Sequence, residues 1–188
     1  VGRVADGIVK RHDWMDILVN SAGLNMPNRR WRDITDETWS TIIDVNLNGA
    51  FNMSHAAVKV MRAQREGLII NVSSMASQRV GGVSGIAYTA AKTALNTMNE
   101  SINHENCHLG IRACALCPGE VATEILKLRP EPPSAEEQAR MVQEEDVGET
   151  ILFIAQMPPH VCLNEIHITP TWNRSYIGAS DRVIPRDE

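Results

Sequence analysis

The sequence predicts an α/β fold in which helices cover both faces of a parallel sheet. Short apolar segments of strand length alternate along the chain with helical segments of ten residues or more. Parallel strands need crossover connections, which helices usually provide. Three of the apolar segments end in small polar residues or glycine, which favours a binding site at the carboxyl edge of the sheet.

The first half of the chain alternates helix, strand, helix and strand. Apolar residues at helical spacing predict a helix over 3–12, and the apolar run Met15–Val19 predicts a buried strand. Thr35 is a suitable N-cap for a helix over about 36–62, which has acidic residues at its positive end. Leu68–Val72 is rich in β-branched residues and predicts the next strand.

The second half continues the same alternation. An Ala-rich helix is expected over 87–108, before Gly110, and Ile111–Cys117 predicts a third buried strand. The sequence then predicts a loop with a short helix over 129–146 and a helix over 147–156. A strand over 165–169 and an irregular tail over 171–188 follow. Residues 1–170 are therefore expected to belong to a single domain.

Composition and charge narrow the class of protein. At 188 residues, with 43% hydrophobic and 22% charged residues, the chain matches an ordinary globular domain. The net charge of -5, with acidic and basic residues interspersed, argues against a nucleic-acid partner. No apolar run approaches the roughly 20 residues that span a bilayer. The four cysteines do not suit a disulfide framework. We therefore expect a cytoplasmic protein without a membrane segment.

Tyr88 and Lys92 lie four residues apart on a predicted helix, so their side chains share one face. A phenol is a poor base at neutral pH, but a nearby ammonium favours the phenolate and lowers the phenol pKa. Ser74 ends the preceding strand, where its hydroxyl can hold a substrate oxygen while Tyr88 exchanges its proton. The same spacing is also common in ordinary amphipathic helices.

The chain resembles the short-chain dehydrogenase/reductase family through five motifs in the family's order. These are Asn-Ser-Ala-Gly at 20–23, Asn46 in Asp-Val-Asn-Leu, Ser73-Ser74, Tyr-Thr-Ala-Ala-Lys at 88–92 and Pro-Gly-Glu-Val-Ala-Thr at 118–123. The resemblance covers about residues 3–170. It implies a Rossmann-like, doubly wound parallel sheet and an NAD- or NADP-dependent oxidoreductase that interconverts a hydroxyl and a carbonyl group of a small molecule.

The resemblance also implies a role for each matching residue. Tyr88 would be the general acid or base, Ser74 would orient the substrate carbonyl, and Lys92 would bind the nicotinamide ribose and lower the pKa of Tyr88. Asn46 would help to hold a proton-relay water. The cofactor would also contact Asn20, Ala22 and Gly23 near its adenosine ribose, and Pro118, Gly119, Val121 and Thr123 along its nicotinamide. No metal ligand is implied. Asn20 and Asn46 are also suited to local backbone capping.

Two features depart from the family pattern. The second position of Asn-Ser-Ala-Gly is usually asparagine, and serine reaches less far. The Gly-rich turn that cradles a pyrophosphate is absent from the sequence. We therefore expect further β-α units before Val1, because Met15–Val19 would otherwise leave an apolar strand edge unpaired. The residue that usually decides NAD against NADP would lie in those units.

Three other interpretations stay open. His104-Glu105-Asn106-Cys107-His108 has the spacing of a zinc hydrolase motif, but it falls in the last turn of its helix and no third ligand follows at a familiar spacing. Cys114 and Cys117 lie in a predicted strand, where residues three apart point to opposite faces, which favours buried packing. The third possibility is a catalytically silent relative that keeps the fold as a binding or assembly module.

The family resemblance further implies a homo-oligomer. Members of the family often associate through two long helices, here about 36–62 and 87–108. Small side chains at Ala90, Ala91 and Ala94 are expected to let the second of these helices pack closely against a partner.

Overall fold

A computed structural model describes residues 2–177 of the chain. Its sheet contains four strands, β1 (Ile17–Asn20), β2 (Gly67–Val72), β3 (Ile111–Pro118) and β4 (Glu165–Ile168). The strands lie in the spatial order β1-β2-β3-β4, and every neighbouring pair is parallel. The predicted α/β fold with a parallel sheet is therefore confirmed.

Helices connect the strands. The α-helices among the described residues are α1 (Gly2–His12), α2 (Asp36–Ile43), α3 (Gly49–Gln64), α4 (Ile86–Asn106), α5 (Ala135–Ala139) and α6 (Glu144–Ala155). Short 3-10 helices cover Met75–Ser77, Cys107–Leu109 and Glu124–Leu128. The loop predicted over 129–146 thus contains α5 and the start of α6, which begins three residues earlier than expected because Gln143 and Asp146 form a capping box.

Two apolar clusters hold the helices against the sheet. On one face, Ala57 and Met61 of α3 and Ile102 of α4 pack against Ile69 and Ala113 of the strands. On the other face, Ile154 of α6 packs against alternate strand residues, which are Leu68, Ile70, Cys114 and Leu116. Helices therefore cover both faces, as a doubly wound sheet requires.

β1 lies at one edge of this sheet. Within residues 2–177, β2 is its single neighbour, and Ile17 and Val19 of β1 are 44% and 39% exposed. The expectation of further β-α units before Val1 stays a prediction.

The segment predicted as one helix over 36–62 contains an irregularity. Thr35 caps α2 as predicted, since its Oγ1 accepts a hydrogen bond from the backbone N–H of Thr38. Between α2 and α3, Asp44–Asn48 forms a π-helix, in which the N–H of Gly49 donates to the carbonyl of Asp44, five residues earlier. The π-helix carries Asn46, whose side chain is buried.

A chain of asparagine side chains, partly buried at Asn20 and fully buried at Asn71 and Asn99, crosses the sheet beneath α4. Asn20 Nδ2 donates to Asn71 Oδ1 (2.8 Å), and Asn71 Nδ2 donates to Asn99 Oδ1 (3.0 Å). Asn99 Nδ2 in turn donates to the carbonyls of Asn164 (3.1 Å) and Ala113 (3.3 Å). Buried amides need such partners, so the chain fixes α4 against β1, β2 and β3 and the segment before β4.

The surface of α4 fits the oligomer prediction only in part. Ala90 and Ala94 are partly exposed, but Ala91 is fully buried in the chain's own core. Its place in a partner interface was therefore wrongly predicted, because no part of Ala91 is accessible to a partner. Separately, none of the helices within residues 2–177 is long and apolar enough to cross a membrane.

Candidate active site

A cavity of about 1070 Å³ opens at the carboxyl ends of β1, β2 and β3. Most of the predicted site residues line it, together with neighbours from the segments that follow each strand. The predicted residues on its wall are Gly23, Ser74, Tyr88, Lys92, Pro118, Gly119, Val121 and Thr123. The structure thus brings motifs from four separate parts of the sequence to one place.

Ser74 and Tyr88 each place a hydroxyl group on the cavity wall. Ser74 follows β2 and caps the 3-10 helix Met75–Ser77, with its Oγ accepting from the backbone N–H of Ala76 (3.1 Å). Tyr88 lies in the first turn of α4. Burial raises the pKa of Tyr88 above its usual value, while a hydrogen bond with Ser74 and the charge of Arg129 act in the opposite direction.

This raised pKa differs from the sequence prediction, in which Lys92 lowers the pKa of Tyr88. Loss of water around the phenol is the larger influence, and the groups that favour the phenolate are Ser74 and Arg129. At neutral pH, Tyr88 is therefore a protonated phenol, which is the form that donates a proton.

Lys92 lies one turn after Tyr88 and is only 3% exposed. Its Nζ donates to the backbone carbonyl of Val72 (2.8 Å) and lies 5.6 Å from the centre of the Tyr88 ring. Burial lowers the pKa of Lys92 to about 8. The ammonium is thus held at the end of β2 rather than extended into solvent, which rejects the interpretation of Lys92 as an ordinary solvated lysine.

Asn46 lies behind the cavity, close to Lys92. Its Nδ2 donates to the carbonyls of Leu24 (2.8 Å) and Ile42 (2.9 Å), and its Oδ1 accepts from the N–H of Leu24 (3.3 Å). A methyl group built on Gly23 would lie 3.1 Å from Asn46 Oδ1 and 3.6 Å from Lys92 Nζ. Gly23 therefore keeps open the space in which these two polar atoms face each other.

Asn20 and Ala22 do not line the cavity. Asn20 Nδ2 donates to Ser54 Oγ (2.9 Å) and Asn71 Oδ1 (2.8 Å), so its side chain points into the sheet and belongs to the asparagine chain. Two roles were expected for Asn20, a cofactor contact in the cavity and capping of the local backbone. Its hydrogen bonds correspond to neither role. Ser21 takes the cavity position instead, next to Gly23.

The segment after β3 forms the outer wall of the cavity and contains charged residues that the sequence analysis missed. Glu120 accepts hydrogen bonds from Arg129 Nη1 (2.7 Å) and from Arg174 Nε (2.8 Å) and Nη2 (2.5 Å), and Arg174 Nη1 also donates to Glu137 (2.8 Å). Burial would raise the pKa of Glu120, but the two arginines together lower it below its usual value. Arg174 lies in the predicted irregular tail, of which residues 173–176 line the cavity; residues 178–188 lie outside the described residues.

Arg29 is the second missed residue at the cavity. It is 3% exposed, and its guanidinium donates to the carbonyls of Met26 (2.7 Å), Val83 (2.8 Å) and Leu128 (2.6 Å). These bonds join three loops around the cavity. The sequence shows Arg29 only as one arginine in a polar stretch, and no local pattern distinguishes it from its exposed neighbours.

The competing metal motifs do not assemble. His104 and His108 are exposed, and within residues 2–177 neither belongs to a group of three potential metal ligands. Cys114 packs against Ile154 of α6, whereas Cys117 Sγ contacts Asn96 of α4 on the opposite face. The prediction that these two cysteines point to opposite faces is confirmed, and all four cysteines are free thiols.

Comparison with known proteins agrees with the geometry. The family model described as short chain dehydrogenase matches residues 1–133. An uncharacterized oxidoreductase of Staphylococcus aureus strain USA300 is 31% identical over 156 residues, which are 83% of this chain and 64% of the relative. Acetoacetyl-CoA reductase of Rhizobium meliloti strain 1021 is 33% identical over 147 residues, 75% of this chain and 60% of the reductase.

Solved structures share the fold. The closed form of serine dehydrogenase complexed with NADP+ aligns with a TM-score of 0.80 and 24% identity, over 100% of this chain and 77% of that one. An alcohol dehydrogenase from the archaeon Thermococcus sibiricus, complexed with 5-hydroxy-NADP, aligns with a TM-score of 0.79 and 22% identity, over 92% and 70%. The chain belongs to the short-chain dehydrogenase/reductase family and has its Rossmann-like fold. It spans 64% of the length of its staphylococcal relative.

Proposed function

We propose that the intact protein is an NAD(P)-dependent oxidoreductase that interconverts a hydroxyl and a carbonyl group by hydride transfer, with Tyr88 as general acid or base. The observation that carries this proposal is the convergence of Ser74, Tyr88 and Lys92 on the wall of one cavity. Membership of the short-chain dehydrogenase/reductase family supports it, as do the oxidoreductase and reductase names of the relatives.

The inner part of the cavity fits the nicotinamide half of a dinucleotide. Gly23 leaves open the space beside Lys92 Nζ, where a ribose hydroxyl can accept a hydrogen bond from the ammonium. Pro118, Gly119, Val121 and Thr123 provide a mostly small and apolar surface for the nicotinamide ring. When bound, NAD(P) donates or accepts the hydride.

The residues of the chain supply the proton transfer and the positioning. Ser74 holds the substrate oxygen by a hydrogen bond, and Tyr88 gives that oxygen a proton when a carbonyl is reduced. The raised pKa of Tyr88 keeps this proton on the phenol at neutral pH, so that Tyr88 is available as a general acid. In the oxidation direction Tyr88 must act as phenolate, which Ser74 and Arg129 stabilise. Asn46, whose Oδ1 borders the space beside Lys92 Nζ, helps to hold the water that relays the proton.

The test compares Tyr88→Phe with Tyr176→Phe in the intact protein. These two residues are the only tyrosines of the sequence, and both line the cavity, but Tyr176 is 64% exposed. Wild-type protein is first screened with NADH and NADPH against ketones and 3-oxo compounds. Tyr88→Phe is expected to lower turnover by at least about 100-fold, because proton transfer contributes roughly 10²–10⁴-fold. Tyr176→Phe is expected to keep turnover near that of wild type.

Each outcome separates the proposal from its rivals. Full activity in a correctly folded Tyr88→Phe protein would remove Tyr88 from the mechanism. Absence of NAD(H) and NADP(H) binding in the intact protein would favour the catalytically silent binding or assembly module. Turnover that depends on added zinc and disappears in His104→Gln would instead support the hydrolase motif.

A further inference from the structure

A cysteine, a glutamate and a histidine meet on the face of the sheet that α4 covers, outside the cavity wall. Cys117 of β3 is the register partner of His167 of β4, and Glu165 lies two residues before His167, on the same face. The cysteine sulfur, a carboxylate oxygen and an imidazole nitrogen all lie within 4.8 Å of one another. Thiolate, imidazole and carboxylate are the side-chain groups that bind zinc in proteins.

Neighbouring amides hold these groups in place. Gln78 Nε2 donates to Glu165 Oε1 (2.7 Å), and Asn96 Nδ2 donates to Glu165 Oε2 (3.0 Å) and contacts Cys117 Sγ (3.5 Å). His167 Nε2 contacts Glu165 Oε1 directly. Hydrogen bonds that orient metal ligands are a regular part of zinc sites, so the trio has support that a chance surface cluster lacks.

The exposure of the three side chains suits entry of an ion from solvent. Cys117 is fully buried, whereas the Glu165 and His167 side chains are 36% and 44% exposed. An ion arriving from solvent therefore meets the carboxylate and the imidazole first and the sulfur behind them. A set of one sulfur, one nitrogen and one oxygen donor is of mixed softness, which favours zinc over calcium or magnesium.

We propose that Cys117, Glu165 and His167 bind one zinc ion, with water as the fourth ligand, in a site that ties β3 to β4. Zinc–ligand bonds of about 2.0–2.3 Å at the tetrahedral angle place ligand atoms on one ion about 3.3–3.8 Å apart, so side-chain rotations of Glu165 and His167 that bring the three atoms to this spacing complete the site. The thiol proton of Cys117 passes to solvent on binding, and no electron is transferred. The site goes beyond the oxidoreductase proposal and does not depend on it.

No metal was predicted from the sequence, because the three ligands are far apart along the chain. The pairs with the spacing of a metal motif are Cys114 with Cys117 and His104 with His108. Cys117 meets Glu165 and His167 only because β3 and β4 pair in parallel across an intervening crossover.

The experiment titrates the metal-free intact protein with Zn²⁺ against a chromophoric chelator, and with Co²⁺ to detect sulfur-to-metal charge-transfer absorption. One equivalent of metal per chain and a charge-transfer band are expected. His167→Gln and Glu165→Gln are each expected to weaken zinc binding by about tenfold or more. Cys117→Ser is expected to remove the charge-transfer band. Zinc is also expected to raise the melting temperature of wild-type protein, because it binds only the folded site.

Matched controls are His104→Gln and Cys162→Ser, which change an exposed histidine and an exposed cysteine elsewhere. Both are expected to bind zinc as wild type does. Absence of saturable binding, or affinity unchanged by His167→Gln and Glu165→Gln, would overturn the proposal. Equal loss in His104→Gln would also overturn it. If Cys117→Ser fails to fold by circular dichroism, the wild-type cobalt spectrum decides, since a spectrum without a sulfur band would contradict the site.

Discussion

The two walls of the cavity are held in different ways. The inner wall carries Ser74, Tyr88 and Lys92 on the end of β2 and the start of α4, which buried asparagine bonds and apolar packing fix in place. The outer wall is held by ion pairs of Glu120 with Arg129 and Arg174, whose side chains are 16–24% exposed. The groups proposed to react are thus fixed by burial, whereas the outer wall depends on charges that salt and pH can weaken.

Lys92 offers the strongest test of the inner wall. Burial lowers its pKa in the folded protein to about 8, from 10.5. Between pH 8 and 10.5 the unfolded chain therefore binds more protons than the folded chain, so this group makes the free energy of unfolding rise with pH. Urea titrations should show a smaller rise for Lys92→Met than for wild type, by up to about 3 kcal/mol. The same pH dependence in both proteins would contradict a buried, destabilised ammonium.

Asn71 tests whether the asparagine chain supports that wall. Asn71→Ala removes the donor to the buried Asn99 Oδ1 and one of the two acceptors of Asn20 Nδ2, so we expect the free energy of unfolding to fall by about 1–3 kcal/mol. Asn48→Ala is the control, because Asn48 is exposed and bonds only Asp44. Chemical denaturation measures both variants. Similar small losses in the two would show that the buried chain contributes little.

Glu120 probes the outer wall through its titration. Its pKa is lowered in the folded state, so it contributes stability that is present above about pH 4.5 and is lost as pH falls through the folded pKa. Glu120→Gln should therefore lose less stability than wild type on acidification below pH 4.5. At pH 7 we expect the variant to be less stable by about 1–2 kcal/mol, since partly exposed pairs are screened. Thermal melts at several pH values decide; parallel acid profiles would refute the lowered pKa.

Substitution of Lys127 is expected to have the smallest effect on the free energy of unfolding. It tests whether burial determines the strength of the ion pairs in the outer wall. Lys127 pairs with Glu124 at 2.6 Å in the same segment, but the two side chains are 73% and 84% exposed. Lys127→Ala is expected to change the free energy of unfolding by less than about 0.5 kcal/mol. A loss as large as that of Glu120→Gln would mean that proximity, not burial, determines the strength of the outer-wall pairs.

Sequence patterns predicted the regular elements because local periodicity encodes them. The strand over Ile111–Pro118 and the helix over Ile86–Asn106 follow from apolar runs and from Gly110, and their bounds lie within one or two residues of the predicted ones. Tyr88 and Lys92 were predicted to share one face of a helix because they are four residues apart, and both line the cavity. These interactions are local in the sequence.

The missed features depend on long-range pairing. Arg29 reaches Leu128 across 99 residues, and Glu120 reaches Arg174 across 54. Asn20 was assigned to the cofactor because it belongs to the same family motif as Gly23, yet its amide donates to Asn71 of the neighbouring strand. The pKa of Tyr88 was wrongly predicted because desolvation depends on packing that residue spacing does not describe.

The π-helix Asp44–Asn48 has a consequence for how this segment tolerates change in length. The wider π-turn takes up one extra residue within a single turn of the helix. The residues of α3 are therefore rotated by about 100°, the angle of one residue, from the positions that a regular α-helix continuing from α2 would give them. Deleting one residue within 44–48 would therefore restore an ordinary helix with α2 and α3 still in place, but it would remove the widened turn that carries Asn46 and its hydrogen bonds to the carbonyls of Leu24 and Ile42. A one-residue deletion here is thus expected to cost the contacts of Asn46 and to leave the packing of α3 against the sheet intact.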